Sequence, residues 1–143
     1  MVLVAPTGSG KTVMGVEIVR RSGLSTIWVA HRRELIFQAR DALIDAGEVP
    51  GLILPGERPH RERQIQIASI QTLVRRGLPE CGMIVVDEAH HVAAKSYEVL
   101  RGPRLLGLTA TPFRLDGSGL RPPFEEIHVA ATTSNLCMDG TLV

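Results

Sequence analysis

Val2-Leu3-Val4-Ala5-Pro6-Thr7-Gly8-Ser9-Gly10-Lys11-Thr12 is the stretch on which the fold turns. Val2 to Ala5 is a short apolar run that reads as a buried strand. Pro6 to Gly10 is turn-rich, and Lys11 to Arg21 reads as a helix. The junction comes close to the pattern Gly, four residues, Gly-Lys-Ser/Thr. Ala5 stands where the leading Gly would be, but Gly8 and Gly10 still permit the tight loop. In that pattern the backbone N–H groups from Gly8 to Thr12 point inward at a helix N-terminus and cradle phosphate oxygens, with Thr7 and Ser9 in the same loop. Lys11 reaches the β- and γ-phosphates as a point charge, and the Thr12 hydroxyl ligates Mg²⁺. A Gly-rich turn with a solvated lysine is the plainer alternative; the strand before and the helix after favour phosphate.

Working outward, apolar runs alternate with periodic stretches. Thr26–Ala30, Leu52–Leu54, Ile65–Ala68, Met83–Val86, Leu105–Leu108 and Ile127–Val129 read as strands. Arg32–Ala46 has apolar residues at helical spacing, with Gly47 as its stop. Ser69 is placed to cap a short helix running to Arg76. Ala89, Val92, Ala93, Tyr97 and Leu100 would share one helical face, and Thr133–Met138 would form a short helix. Gly56–Gln64 is a polar, basic surface loop, and Pro112 to Pro123 is irregular. Such alternation implies βαβ units, hence an α/β fold with a mostly parallel sheet and helices on both faces. Ligands of such sheets bind beyond the carboxyl ends of the strands. Because the first strand starts almost at Met1, it is expected to leave a sheet edge or a helix-packing face uncovered.

Composition sets bounds. A chain of 143 residues is one domain or part of one, able to hide about 70% of its extended-chain surface. With 44% apolar and 22% charged residues it is not disordered, collagen-like or coiled-coil. Aromatics at 3% argue against a base-stacking platform as the main device. A net charge of +1 does not diagnose nucleic-acid binding. Lysine occurs only at positions 11 and 95, so Arg supplies 14 of 16 cations, which suits bidentate phosphate contact. Cys81 and Cys137 lie far apart and read as reduced thiols. No apolar run is long enough to span a membrane, and no signal segment opens the chain.

Asp87-Glu88-Ala89-His90 follows the most apolar strand. Two carboxylates at the end of a buried strand are costly to desolvate without a nearby cation. Taken alone, the pair would be acids stabilised at a helix N-terminus. With a phosphate loop upstream, Asp87 would hold Mg²⁺, through water, and Glu88 would orient and deprotonate an attacking water. His90 and His91 suggest zinc, but no cluster has ligand spacing. A guanine-recognising Asn-Lys-x-Asp segment is absent, which disfavours a GTPase.

Five segments occur in the order seen in superfamily 2 helicases: Ala5–Thr12, Val29–Gln38 (VAHRRELIFQ), Ala68–Leu73 (ASIQTL), Val85–His91 (VVDEAHH) and Gly107–Arg114 (GLTATPFR). The chain resembles the first RecA-like domain of a bacterial or phage DEAD/DEAH-box helicase of the restriction-enzyme-subunit type, over nearly its whole length. The resemblance implies a P-loop NTPase fold that uses ATP and Mg²⁺ and works on nucleic acid, DNA rather than RNA, in the cytoplasm. It implies backbone contacts from His31, Arg32 and Arg33, and from Ser69, Gln71 and Thr72. The arginines are otherwise an ordinary solvated pair. Thr109, Ala110 and Thr111 resemble the segment linking nucleotide state to nucleic-acid grip, and are otherwise a strand end before Pro112. His90 helps couple the two sites in the family, or is a simple helix-face histidine.

Such motors need a second RecA-like domain supplying arginine fingers, and no second phosphate loop or QxxGRxxR-type segment occurs in the 143 residues. Arg114 and Arg121 stand in the wrong context to replace it. The upstream adenine-reading glutamine segment is missing too, so both ends are expected to be cuts through a larger protein. Residues 1–143 then form one ATP-binding domain whose partner domain acts in cis or in trans. Alternatively the chain is a solo nucleotide- or nucleic-acid-binding module, or a split subunit completed by another chain.

Overall fold

Strands that must be apolar on both sides, joined by segments apolar on one, can only settle as a covered parallel sheet. The computed structural model describes residues 2–4, 10–89, 94–100, 104–109 and 127–129. The elements run β1 (Val2–Val4), α1 (Lys11–Ser22), β2 (Thr26–Ala30), α2 (Arg33–Asp45), β3 (Gly51–Ile53), β4 (Ile65–Ser69), α3 (Ile70–Arg76), β5 (Met83–Asp87), a 3₁₀ helix (Ala94–Leu100), β6 (Arg104–Thr109) and β7 (Ile127–Val129). Seven strands form one sheet in the order β3-β4-β2-β5-β6-β1-β7, and every pairing is parallel.

Each face of the sheet has its own core. β2 and β5 are buried at all five positions, so their side chains alternate between the two. Trp28, Ala30, Ile67, Val85, Leu106 and Leu108 meet Val16 and Val19 of α1 and Ile36, Ala39 and Leu43 of α2. Ile27, Val29, Ala68, Ile84 and Val86 meet Leu73 of α3 and Leu100 of the 3₁₀ helix on the other side. The expected helices on both faces are therefore present.

Three local expectations change. β1 is no edge: it pairs with β6 on one side and β7 on the other, and the edges are β3 and β7. The helical face expected from Ala89 to Leu100 is, in its described part, a 3₁₀ helix from Ala94. Gly102-Pro103 follows at once, and proline stops a helix from continuing into β6. Ala89 and Leu100 nonetheless share one core. β3 begins one residue early, at Gly51. The expected helix Thr133–Met138 and the irregular stretch Pro112–Pro123 lie outside the described residues.

α1 packs unusually close. A Cβ on Gly15 would stand 2.7 Å from Leu108 Cδ1 and 3.0 Å from Trp28. Glycine in a helix interior costs roughly 1 kcal/mol against alanine, and here it lets the helix touch the sheet.

Candidate nucleotide site and its neighbouring rim

Strand register brings the sequence candidates to one rim. Val4 of β1 is level with Thr109 of β6, and Asp87 of β5 is level with Leu108. The carboxyl ends of β1, β6 and β5 thus sit side by side, with α1 starting above them. On the other half of the rim Ala30 of β2 pairs with Ser69 of β4. Residues 11, 87, 88 and 109 gather at one end; 31–33 and 69–72 gather beside them.

Lys11 is the first residue of α1 and is nearly buried. Gly10, the N-cap, has φ 78°, a left-handed conformation that glycine adopts without strain. Among the described residues no side chain caps α1, and no acidic residue lies in its first turn. The positive end of the helix is therefore left for an external anion. Lys11 Nζ lies 3.2 Å from Glu88 Oε1, joining residues 77 positions apart in sequence. Glu88 itself has φ 50°, and left-handed backbone is costly for a residue with a Cβ. That turn swings its carboxylate away from the axis of β5 toward the start of α1.

Asp87, buried at the end of β5, has its carboxyl pushed up to about 6. Burial is the largest cause and the neighbouring Glu88 carboxylate the next; the Trp28 indole N–H and Lys11 pull the other way. Trp28 Nε1 is buried and makes no full-geometry hydrogen bond, so it acts on Asp87 as a dipole at the edge of bonding range. A cation placed here would relieve the burial of Asp87 beside the Glu88 carboxylate. With the half-buried Thr12 hydroxyl on α1, this donor set suits a hydrated divalent ion beside a phosphate, since Mg²⁺ takes few protein ligands. His90 and His91, which raised the zinc alternative, lie outside the described residues.

The adjoining half of the rim is tied together. Ser69 caps α3 as expected, accepting from the Thr72 N–H at 3.1 Å, and the two hydroxyls meet at 2.6 Å. Gln71 Nε2 donates to the His31 carbonyl at 3.2 Å, linking the loops after β2 and β4. The ring nitrogens of His31 are buried, whereas Arg32 and Arg33 are exposed. Thr109 is fully buried at the end of β6. Thr7, Gly8, Ser9, His90, Ala110 and Thr111 lie outside the described residues.

Two contributors escape the motif reading. Trp28 is the single tryptophan, and its place under Asp87 follows from the pairing of β2 with β5, not from any spacing. The left-handed turn at Glu88 has no signal either, although Gly15 does, as a glycine inside a helical pattern. A cleft of about 570 Å³ opens at the opposite, amino-terminal ends of the strands, near Ser25, Gln64 and Cys81. It touches none of the rim residues, so chemistry is assigned to the rim on its charge and geometry. Cys81 there is a free thiol whose pKa burial raises, while Cys137 lies outside the described residues.

These features define a RecA-like P-loop domain of superfamily 2 helicase type. The family model of the Type III restriction enzyme, res subunit, matches residues 1–114, and the chain belongs to that family. It is 35% identical over 127 residues to a putative DNA 3'-5' helicase Rad25 of Halobacterium salinarum, covering 80% of this chain and 21% of that protein. It is 31% identical over 125 residues to the DNA 3'-5' translocase XPB2 of Sulfurisphaera tokodaii, covering 81% of this chain and 28% of the relative. The chain thus spans less than a third of either relative. The fold matches the Hef helicase domain of Pyrococcus furiosus with TM-score 0.68 at 19% identity, over 96% of this chain and 36% of that one. It matches the UvsW helicase of bacteriophage T4 with TM-score 0.66 at 18% identity, over 78% and 46%.

Proposed function

We propose that this chain is the ATP-binding half of an ATP-dependent helicase or translocase, hydrolysing ATP to move on nucleic acid when a second RecA-like domain closes over it. The observation that carries the reading is the Lys11–Glu88 contact at 3.2 Å beside the buried Asp87. Phosphate-loop lysine, metal-holding carboxylate and candidate base converge there from β1–α1 and β5.

The N-terminus of α1 and the loop Thr7–Thr12 bind the triphosphate, Lys11 moving from Glu88 to the phosphate oxygens. Thr12 and Asp87 would hold Mg²⁺, which supplies charge neutralisation across the phosphates. Released from Lys11, Glu88 accepts the proton of the attacking water. His31, Arg32, Arg33, Ser69, Gln71 and Thr72 hold the nucleic-acid backbone. His90 and Thr109–Thr111 couple the two halves of the rim, Thr109 being buried at the end of β6. DNA is the favoured track, in keeping with the relatives named as DNA 3'-5' helicase and translocase. No described helix is long and apolar enough to cross a membrane, and a cytoplasmic location is part of the proposal.

The test is ATP turnover with and without DNA, in the full-length protein and in its Glu88→Gln form. DNA-stimulated turnover that Glu88→Gln lowers at least a hundredfold supports the reading. Unchanged turnover in Glu88→Gln would remove its catalytic assignment.

A further inference from the structure

The outer face of α2 carries a pattern that continues beyond the rim. Arg33, Phe37 and Arg40 stand at i, i+4 and i+7, on one stripe of the helix. The Arg33 guanidinium carbon lies 5.3 Å from the Phe37 ring centroid and that of Arg40 lies 4.6 Å from it. One half-buried ring therefore holds two guanidiniums outward in fixed positions, which lowers the entropy lost when either binds an anion. Arg33 pairs with no carboxylate among the described residues; Arg40 meets only the exposed neighbour Asp41, at 3.2 Å. Such an exposed pair gives way readily to a stronger anion.

Below Arg40 the stripe runs into a groove of about 450 Å³ bordered by Arg40, Arg58 and Arg63, with Val49 and Leu52 in its lining. Arg63 is braced by donating to the Pro50 carbonyl at 2.9 Å, and Arg58 is exposed on the basic loop. Glu48 and Glu57 also line the groove, but Glu48 already meets Arg20 at 3.5 Å. Glu57 is then the lining carboxylate with no ion pair among the described residues, while Asp41 and Glu62 stand at the margin on Arg40 and His60.

We propose that this α2 stripe and groove form a nucleic-acid backbone track that extends the contact of His31, Arg32 and Arg33 down the side of the domain. It rests on the reading that the rim meets nucleic acid. Charge and continuity carry it: Arg33 belongs to both surfaces. Arg33 to Arg40 spans about 10 Å of helix, roughly the axial rise of three base pairs of duplex. The groove then continues the line.

The test is binding of a short labelled DNA, as duplex and as single strand, to the 143-residue chain across a range of salt concentrations. Arg40→Ala with Arg58→Ala should weaken binding and lower the salt slope by about 1.4 to 1.8, the loss of two phosphate contacts. Glu57→Gln should tighten binding severalfold. Phe37→Leu, which keeps the apolar packing, should weaken it by less than the double variant. Arg75→Ala with Arg76→Ala removes the same charge from α3 on the other sheet face and should leave the slope alone. Arg32→Ala reads the rim separately. A slope lowered by Arg32→Ala but untouched by the α2 double variant overturns the track and leaves the rim reading standing. An equal loss from the α3 pair reduces the effect to net charge and overturns the track. No DNA binding by the parent chain overturns both. A polyglutamate peptide that binds as tightly as DNA, with the same dependence on Arg40 and Arg58, assigns the face to an acidic protein and overturns it as well.

Discussion

Asp87 sits at the end of a strand buried at every position, beside a second carboxylate, with its pKa raised to about 6 from an ordinary 3.8. Below pH 4 the folded and unfolded chains both hold its proton. Between about pH 4 and 6 the folded chain keeps the proton and the unfolded chain has shed it, so stability falls as pH rises. Above about 6 the whole penalty applies, on the order of 2 to 3 kcal/mol. Asp87→Asn should therefore raise the melting temperature of the ligand-free chain at pH 7.5 by about 5 °C or more, the gain shrinking toward zero near pH 4. A variant that melts lower at pH 7.5, or a gain independent of pH, would show that burial does not strain this carboxylate. Asp87 and Glu88 were legible as a pair because acids rarely follow such an apolar run without cause. Their geometry was not. The φ of 50° at Glu88 depends on where the chain must turn after β5, and the Trp28 dipole on which strand lies next to it; neither leaves a mark on local residue types.

At the scale of elements, α1 shows why a glycine that weakens a helix can still hold it in place. Gly15→Ala gains helix propensity of roughly 1 kcal/mol, yet its Cβ would meet buried Leu108 at 2.7 Å and Trp28 at 3.0 Å. We expect a net loss of about 1 kcal/mol in urea unfolding, and recovery of most of it in a Leu108→Ala background, where the single Leu108→Ala change alone destabilises. A stabilised Gly15→Ala chain would mean that the helix can lift off the sheet at no cost. Strands and helices were read closely where one signal was unopposed. Ile27–Ala30 is apolar throughout, and Ser69 caps α3 with the residue type that caps favour. The segment ending at Leu100 is less legible. Its apolar spacing suits an α-helix, while the nearby Pro103 and the short reach to β6 leave it a 3₁₀ helix in its described part.

At the scale of the whole molecule, the parallel order β3-β4-β2-β5-β6-β1-β7 puts both candidate surfaces on one rim, phosphate loop and carboxylates at one end and the loops after β2 and β4 beside them. In the proposed function, this adjacency of neighbouring strand ends is what would couple hydrolysis to grip. The 143 residues carry a single phosphate-loop pattern, and an arginine finger from a second domain is worth about three to five orders of magnitude in related NTPases. The isolated chain should accordingly show negligible ATP turnover, with or without DNA; turnover at the rate of an ordinary ATPase, abolished by Glu88→Gln, would mean that one domain suffices. Binding is the more direct question, because the proposed phosphate site lies within this chain and needs no arginine finger from a second domain. Calorimetric titration of Mg-ATP into the chain and into Lys11→Ala, with melting curves confirming that both are folded, puts it plainly. The account predicts one site per parent chain and an affinity at least tenfold weaker in Lys11→Ala; equal affinity in the two chains would contradict the phosphate site on which the whole reading stands.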